Sequence, residues 1–141
     1  MNMKAVTVKA FIERGRDGGY GVYIDLNENR LNYSVSGDGK TAKDAVENFM
    51  SAYDDMKAFY EEKQLCFRDI NFLFEYDVAS FLDYYSGILT FSGLEKITGI
   101  NQKQLHHYAV GYRRPRPNTT RKIEEGLRRF SGELAQVRFN N

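Results

Sequence analysis

Cysteine, tryptophan, histidine and proline are nearly missing from this chain. Among its 141 residues are one Cys, no Trp, two His and two Pro. A single cysteine, Cys66, excludes an internal disulfide, and between Leu65 and Phe67 it reads as a small apolar residue rather than a nucleophile. The only histidines, His106 and His107, are adjacent and poorly placed to share one ion, with no acidic or thiol cluster around them, so no metal site and no cofactor is expected. There is no long apolar run and no signal-like amino terminus, which predicts no membrane association and a reducing, cytoplasmic setting. Both prolines, Pro115 and Pro117, fall in one short loop, so the rest of the chain is free to form regular structure.

Charge is balanced overall at +1 but unevenly distributed. Residues 1–77 hold 10 Lys/Arg against 14 Asp/Glu, and residues 78–141 hold 10 against 5, giving −4 and +5. Such asymmetry suggests two modules with different partners, here taken as 1–77 and 78–141.

The first module reads as a small α+β sheet with one helix, in the order β-β-β-α-β. Alternation over Lys4 to Ile12 gives a strand, with Val6, Val8 and Ala10 on one face. A glycine-rich turn follows, then a second strand over Tyr20 to Leu26 and a third over Leu31 to Ser36. Short turns between these strands imply an antiparallel meander closed by Gly37-Asp38-Gly39. Thr41 is the expected N-cap of a helix, with Asp44 at the capping-box position. Ala42, Ala45, Val46, Phe49, Tyr53, Met56 and Tyr60 form its apolar stripe. Asp69 to Asp77 supplies the last strand, brought into the same sheet by a right-handed crossover. The segment GDGKT is too short for a phosphate-binding loop, since only Asp38 separates its glycines.

The second module is expected to be all-α. Gly93 to Gly111 has the spacing of a helix-turn-helix, with Gly99 able to take positive φ at the turn and Ile100 beneath it. Thr90 caps the first helix, Phe91 to Thr98; Asn101 caps the second, with Gln104 as capping-box partner. Leu105, Tyr108 and Ala109 face inward, leaving Gln102, Lys103, His106 and His107 outward. A short helix with polar donors on its free face fits the major groove, although many helical hairpins of this kind touch no nucleic acid. The basic run YRRPRP adds the phosphate-neutralising charge that DNA affinity requires; Arg113, Arg114 and Arg116 have no acid nearby in sequence. Asn118 or Thr119 is expected to cap a last helix reaching about Leu134, with Ile123, Leu127 and Phe130 buried.

The first module resembles the antitoxin domain of the HicB family, over about residues 4–77. The resemblance is carried by GYGVYIDL (Gly19 to Leu26) and by the pattern Gly37, Asp38, Gly39, Thr41, Asp44, Ala45 and Asn48. The second module, about 78–135, resembles the Cro/lambda-repressor class of helix-turn-helix. Together these imply an antitoxin of a two-gene HicAB-like pair, with a degraded ribonuclease-H-like amino-terminal domain and no catalytic activity of its own. Its implied partners are a small basic, mRNA-cleaving HicA-like toxin, operator double-stranded DNA, and further copies of itself in a homodimer or larger oligomer.

By match to the repressor class, Gln102, Lys103 and His107 read bases, while Ser92, His106, Tyr112, Arg113, Arg114 and Arg116 contact phosphates. In that class the position of Glu95 is usually alanine or glycine, because the helices approach closely there. The crossing is therefore expected to differ, or Glu95 to reach outward to Arg113 or Arg114. A stand-alone transcriptional repressor with a ligand- or protein-binding first module is the alternative. A ribonuclease-H-like nuclease is disfavoured, because the first strand offers no carboxylate before Glu13.

Overall fold

A computed structural model describes residues 4–141 and shows an α+β protein made of two compact units, Met1–Tyr84 and Tyr85–Asn141. The first unit holds β1 (Val6–Arg14), β2 (Tyr20–Ile24), β3 (Ser36–Gly39), α1 (Ala42–Glu62), β4 (Ile70–Tyr76) and α2 (Val78–Tyr84). The second holds α3 (Phe91–Thr98), α4 (Gln102–Ala109) and α5 (Pro117–Ala135).

The sheet has the order β3-β2-β1-β4, antiparallel except for the parallel pair β1–β4. Alternation places Val6, Val8, Ala10 and Ile12 of β1, with Tyr20, Val22 and Ile24 of β2, on one buried face beneath α1. Ala42, Ala45, Phe49 and Tyr53 of α1 close over it, as the stripe predicts, and Tyr60 is buried against Tyr33 and Phe67. Thr41 caps α1 by accepting the Asp44 N–H at 3.0 Å.

The third strand lies later than its apolar alternation suggests. Residues 31–35 form no strand and bend at Asn32, whereas the glycine segment expected to be a turn is strand β3. The reason is close packing of backbone on backbone. A Cβ on Gly37 would stand 2.4 Å from the Phe49 nitrogen, and one on Gly39 would stand 2.6 Å from the Ala45 nitrogen. Only glycine lets α1 settle this deeply on β3. Asn48 secures the junction by accepting the Asp38 N–H at 3.0 Å. Leu31, Tyr33 and Val35 instead seal the end of the core, Tyr33 stacking on Phe67 with centroids 4.7 Å apart.

The first unit also has a second helix and ends later than expected. The break comes after Tyr84 rather than after Asp77, because α2 is bound into this unit by hydrogen bonds. Ser80, fully buried, donates its hydroxyl to the Ile12 carbonyl at 2.8 Å. Asp77 accepts the N–H groups of Arg14 and Ser80 at 3.0 and 2.8 Å. Asp83 accepts the Ala42 N–H at 2.8 Å, meeting the positive end of α1. With Asp83 on this side, the acids in the first unit rise to 15 and the units carry −5 and +6.

Candidate nucleic-acid interface

In the second unit two short helices meet at a tight turn. Leu94, Ile100, Leu105, Tyr108 and Ile123 are its buried centre. Thr90 caps α3 by accepting the Gly93 N–H at 3.0 Å. Gly99 ends α3 with φ of 77°, the left-handed conformation that a Cβ would penalise. Ile100 is buried directly after it, as its place beneath the turn requires. Thr98, at the crossing, is also buried, and satisfies its hydroxyl by donating to the Leu94 carbonyl at 2.7 Å and accepting the Ile100 N–H at 3.1 Å.

The start of α4 departs from the capping-box expectation. Asn101 accepts the Lys103 N–H at 2.8 Å, but the second partner is Glu95 of α3, which accepts the Gln102 N–H at 2.7 Å. Gln104 turns away and donates to the Tyr108 hydroxyl. Glu95 thus does not reach Arg113 or Arg114. Its carboxylate lies at the positive end of α4 and ties that helix to α3 across the turn.

Leu105 and Tyr108 of α4 face inward, and Ala109 is half-buried. Gln102, Lys103 and His106 are exposed and His107 is half-buried. An aromatic row runs across this face. Phe91 lies 5.7 Å from His106, and His107 lies 5.0 Å from Tyr112, both between ring centroids. Ser92 is exposed in the first turn of α3.

The carboxyl end of α4 is a Schellman cap. Gly111 has φ of 77°, its N–H meets the Tyr108 carbonyl at 3.2 Å, and the Tyr112 N–H meets the His107 carbonyl at 2.9 Å. The Tyr112 ring against His107 is the side-chain contact that accompanies this motif. The cap directs the chain from α4 into the basic run in a defined geometry.

Arg113, Arg114 and Arg116 are exposed, and none of them, nor Lys103, forms an ion pair with any described residue. The arginines of α5 are used differently. Arg128 pairs with Glu124 at 3.2 Å, and Arg129 donates to the Ile97 carbonyl at 3.2 Å, at the end of α3.

Pro117 does not merely stop a helix; it is the first residue of α5, with Arg116 at the N-cap. Asn118 and Thr119 therefore lie inside the first turn rather than capping it. No side chain caps this helix, whose start sits beside the arginine run. Gly126 allows α5 to touch α3: a Cβ there would stand 2.6 Å from the Ile97 carbonyl oxygen.

The candidate residues fall into two adjoining groups. Gln102, Lys103, His106 and His107 are on α4, and Tyr112, Arg113, Arg114 and Arg116 are on the segment its cap launches. Local spacing could not find the partners of Glu95 and Gly126, because they lie on other helices. Among the described residues no group of three or more His, Cys, Asp or Glu could hold a metal ion, and no helix is long and apolar enough to cross a membrane. Compared with family models, curated proteins and solved structures, the chain matches none.

Proposed function

We propose that this chain is a DNA-binding repressor of the antitoxin kind: its second unit reads operator duplex, and its first unit neutralises a small basic HicA-like toxin by direct binding. One observation carries the DNA reading. A helix with a polar, cationic outer face runs through a rigid cap into three exposed arginines that no acid neutralises. An α-helix fits the major groove, where Gln102 suits adenine, Lys103 suits guanine, and His107 adds a donor or acceptor. Arginines left without acidic partners are available to phosphates, where displacement of condensed counterions supplies affinity. Ser92, His106 and Tyr112 flank the helix at positions suited to backbone contact.

The toxin-binding part rests on the HicB-like motif and on the first unit's net negative charge, which suits a basic partner. The protein acts by binding, without a cofactor and as a homo-oligomer, so that paired recognition helices meet paired half-sites.

Titration against the chain's own upstream DNA tests the DNA reading. The logarithm of affinity should fall against the logarithm of salt with a slope of about −0.9 per phosphate contacted. Replacing Arg113, Arg114 and Arg116 together with Gln should shallow that slope by up to about 2.7 for all sequences alike. Gln102→Ala should relax base preference by about 1–3 kcal/mol at one position. A flat salt response removes this reading. Co-purification of a small basic protein encoded by the neighbouring reading frame tests the antitoxin part; DNA binding without such a partner would leave a stand-alone repressor.

A further inference from the structure

We infer that the free edge of β4 is a self-association surface, on which a second copy of this chain pairs its own β4 antiparallel to extend the sheet across a two-fold axis at Leu73. The inference does not depend on what the second unit binds.

β4 is the sheet's terminal strand, with β1 as its only neighbour. Its backbone polarity follows from the ends of that pairing. The Val6 N–H meets the Asp69 carbonyl at 3.0 Å, and the Asp77 N–H meets the Ile12 carbonyl at 3.0 Å. Odd-numbered residues of β4 thus turn their backbone groups toward β1, and even-numbered ones turn theirs outward. Ile70 fits this alternation, its N–H being capped by the Tyr53 hydroxyl at 2.9 Å. The N–H and C=O groups of Phe72 and Phe74 therefore point to the open edge.

Edge strands that must stay single carry lysine, proline, a bulge or an inward-pointing charge. The segment Ile70–Tyr76, INFLFEY, has none of these. Its one charge is Glu75, which Lys9 approaches at 3.8 Å. The opposite edge is treated differently, since Asn48 occupies the outward N–H of Asp38 in β3.

The same strand is also incompletely covered. α1 lies chiefly over β3 and β2, and the Phe72 and Phe74 side chains remain half-buried. On the other face Leu73 is 52% exposed at the middle of the strand.

A second copy suits this edge because the strand is complementary to itself. An antiparallel partner related by a two-fold axis at Leu73 sets Phe72 opposite Phe74′ and Phe74 opposite Phe72′. These are hydrogen-bonded pairs, so four ladder bonds form from the outward groups. Aromatic side chains then meet across strands on the half-covered face. On the other face Leu73 meets Leu73′ at the axis, and each Asn71 carboxamide meets a Glu75′ carboxylate. Within β4 no like charges oppose one another; just beyond it Asp69, paired with Lys57 at 3.0 Å, faces Asp77′, whose carboxylate takes the Arg14 and Ser80 N–H groups.

The test is light-scattering mass of the full chain, together with a cysteine placed on the axis. The wild type should run as two or more copies. Leu73→Lys sets two ammonium groups face to face and should halve the assembly, with far-UV circular dichroism unchanged because Leu73 is at the surface. In a Cys66→Ser background, Leu73→Cys puts two thiols in a non-hydrogen-bonded pair, where Cα atoms stand about 4.5 Å apart, within disulfide range. Mild oxidation should then give a covalent dimer, and Thr7→Cys, on the neighbouring strand, should not. A monomeric wild type would overturn the proposal, as would a dimer that survives Leu73→Lys without cross-linking through residue 73. If β4 is occupied only when the neighbouring gene product is present, the edge serves that partner and the proposal also fails.

Discussion

Gly126→Ala should destabilise the second unit, although the same change elsewhere in α5 should stabilise it. Alanine is the best helix former and glycine costs about 1 kcal/mol in a helix interior, so propensity alone favours the substitution. At Gly126 the added Cβ would stand 2.6 Å from the Ile97 carbonyl oxygen and 2.9 Å from the Thr98 Cα. Both are backbone atoms, so no rotamer change relieves the clash, and α5 must withdraw from α3 by about 1 Å to reach ordinary contact. Overpacking of this sort costs about 1–3 kcal/mol, and withdrawal also loosens Ile123 in the unit's centre. The net expectation is a loss of about 1–2 kcal/mol, or roughly 5–15 °C in the melting temperature of so small a unit. Gly132, in the same helix, has nothing within 4 Å of its Cβ position. Gly132→Ala should therefore gain up to about 1 kcal/mol. Thermal unfolding of the full chain, with amide exchange in α3 and α5 to assign the unit, reads both variants. Equal stabilisation by the two substitutions would refute the account of how α3 and α5 meet.

Glu95→Ala should cost about 0.5–2 kcal/mol by freeing the Gln102 N–H, which amide exchange at Gln102 would register; no change there would mean the carboxylate is not the cap. Gln64 follows α1 with φ of 57°, so Gln64→Gly should raise stability by about 1 kcal/mol in denaturant unfolding. Hydrogen bonds from the Arg30 side chain and backbone hold the Glu28 carboxyl down at about 2. A lowered folded-state value means that this pair's stabilisation is complete above the ordinary glutamate range and is lost as pH falls toward 2. Carbon NMR of Glu28 should give a midpoint near 2, returning to about 4.3 in Arg30→Ala; a wild-type midpoint near 4 would show that the pair does not persist in solution.

Features written within a few residues were legible in the sequence. Thr41, Thr90 and Asn101 cap helices because a short side-chain oxygen reaches an N–H two or three residues on, and Gly99 takes the left-handed turn because no Cβ obstructs it. Periods of two and of about 3.6 marked the buried faces of β1, β2, α1 and α4. Contacts between distant positions decided the rest. Gly37-Asp38-Gly39 has turn composition, but it pairs with β2 as a strand and carries α1 on its backbone. Residues 78–84 carry no strong boundary signal, yet Ser80 and Asp83 bind them to β1 and α1. Gln104 stood at the capping-box spacing but bonds Tyr108 instead, while Glu95, seven residues before Gln102, takes the Gln102 N–H. Local propensity reflects one residue and its near neighbours, whereas the approach of two backbones or the capping of one helix by another depends on where the chain has already returned in space.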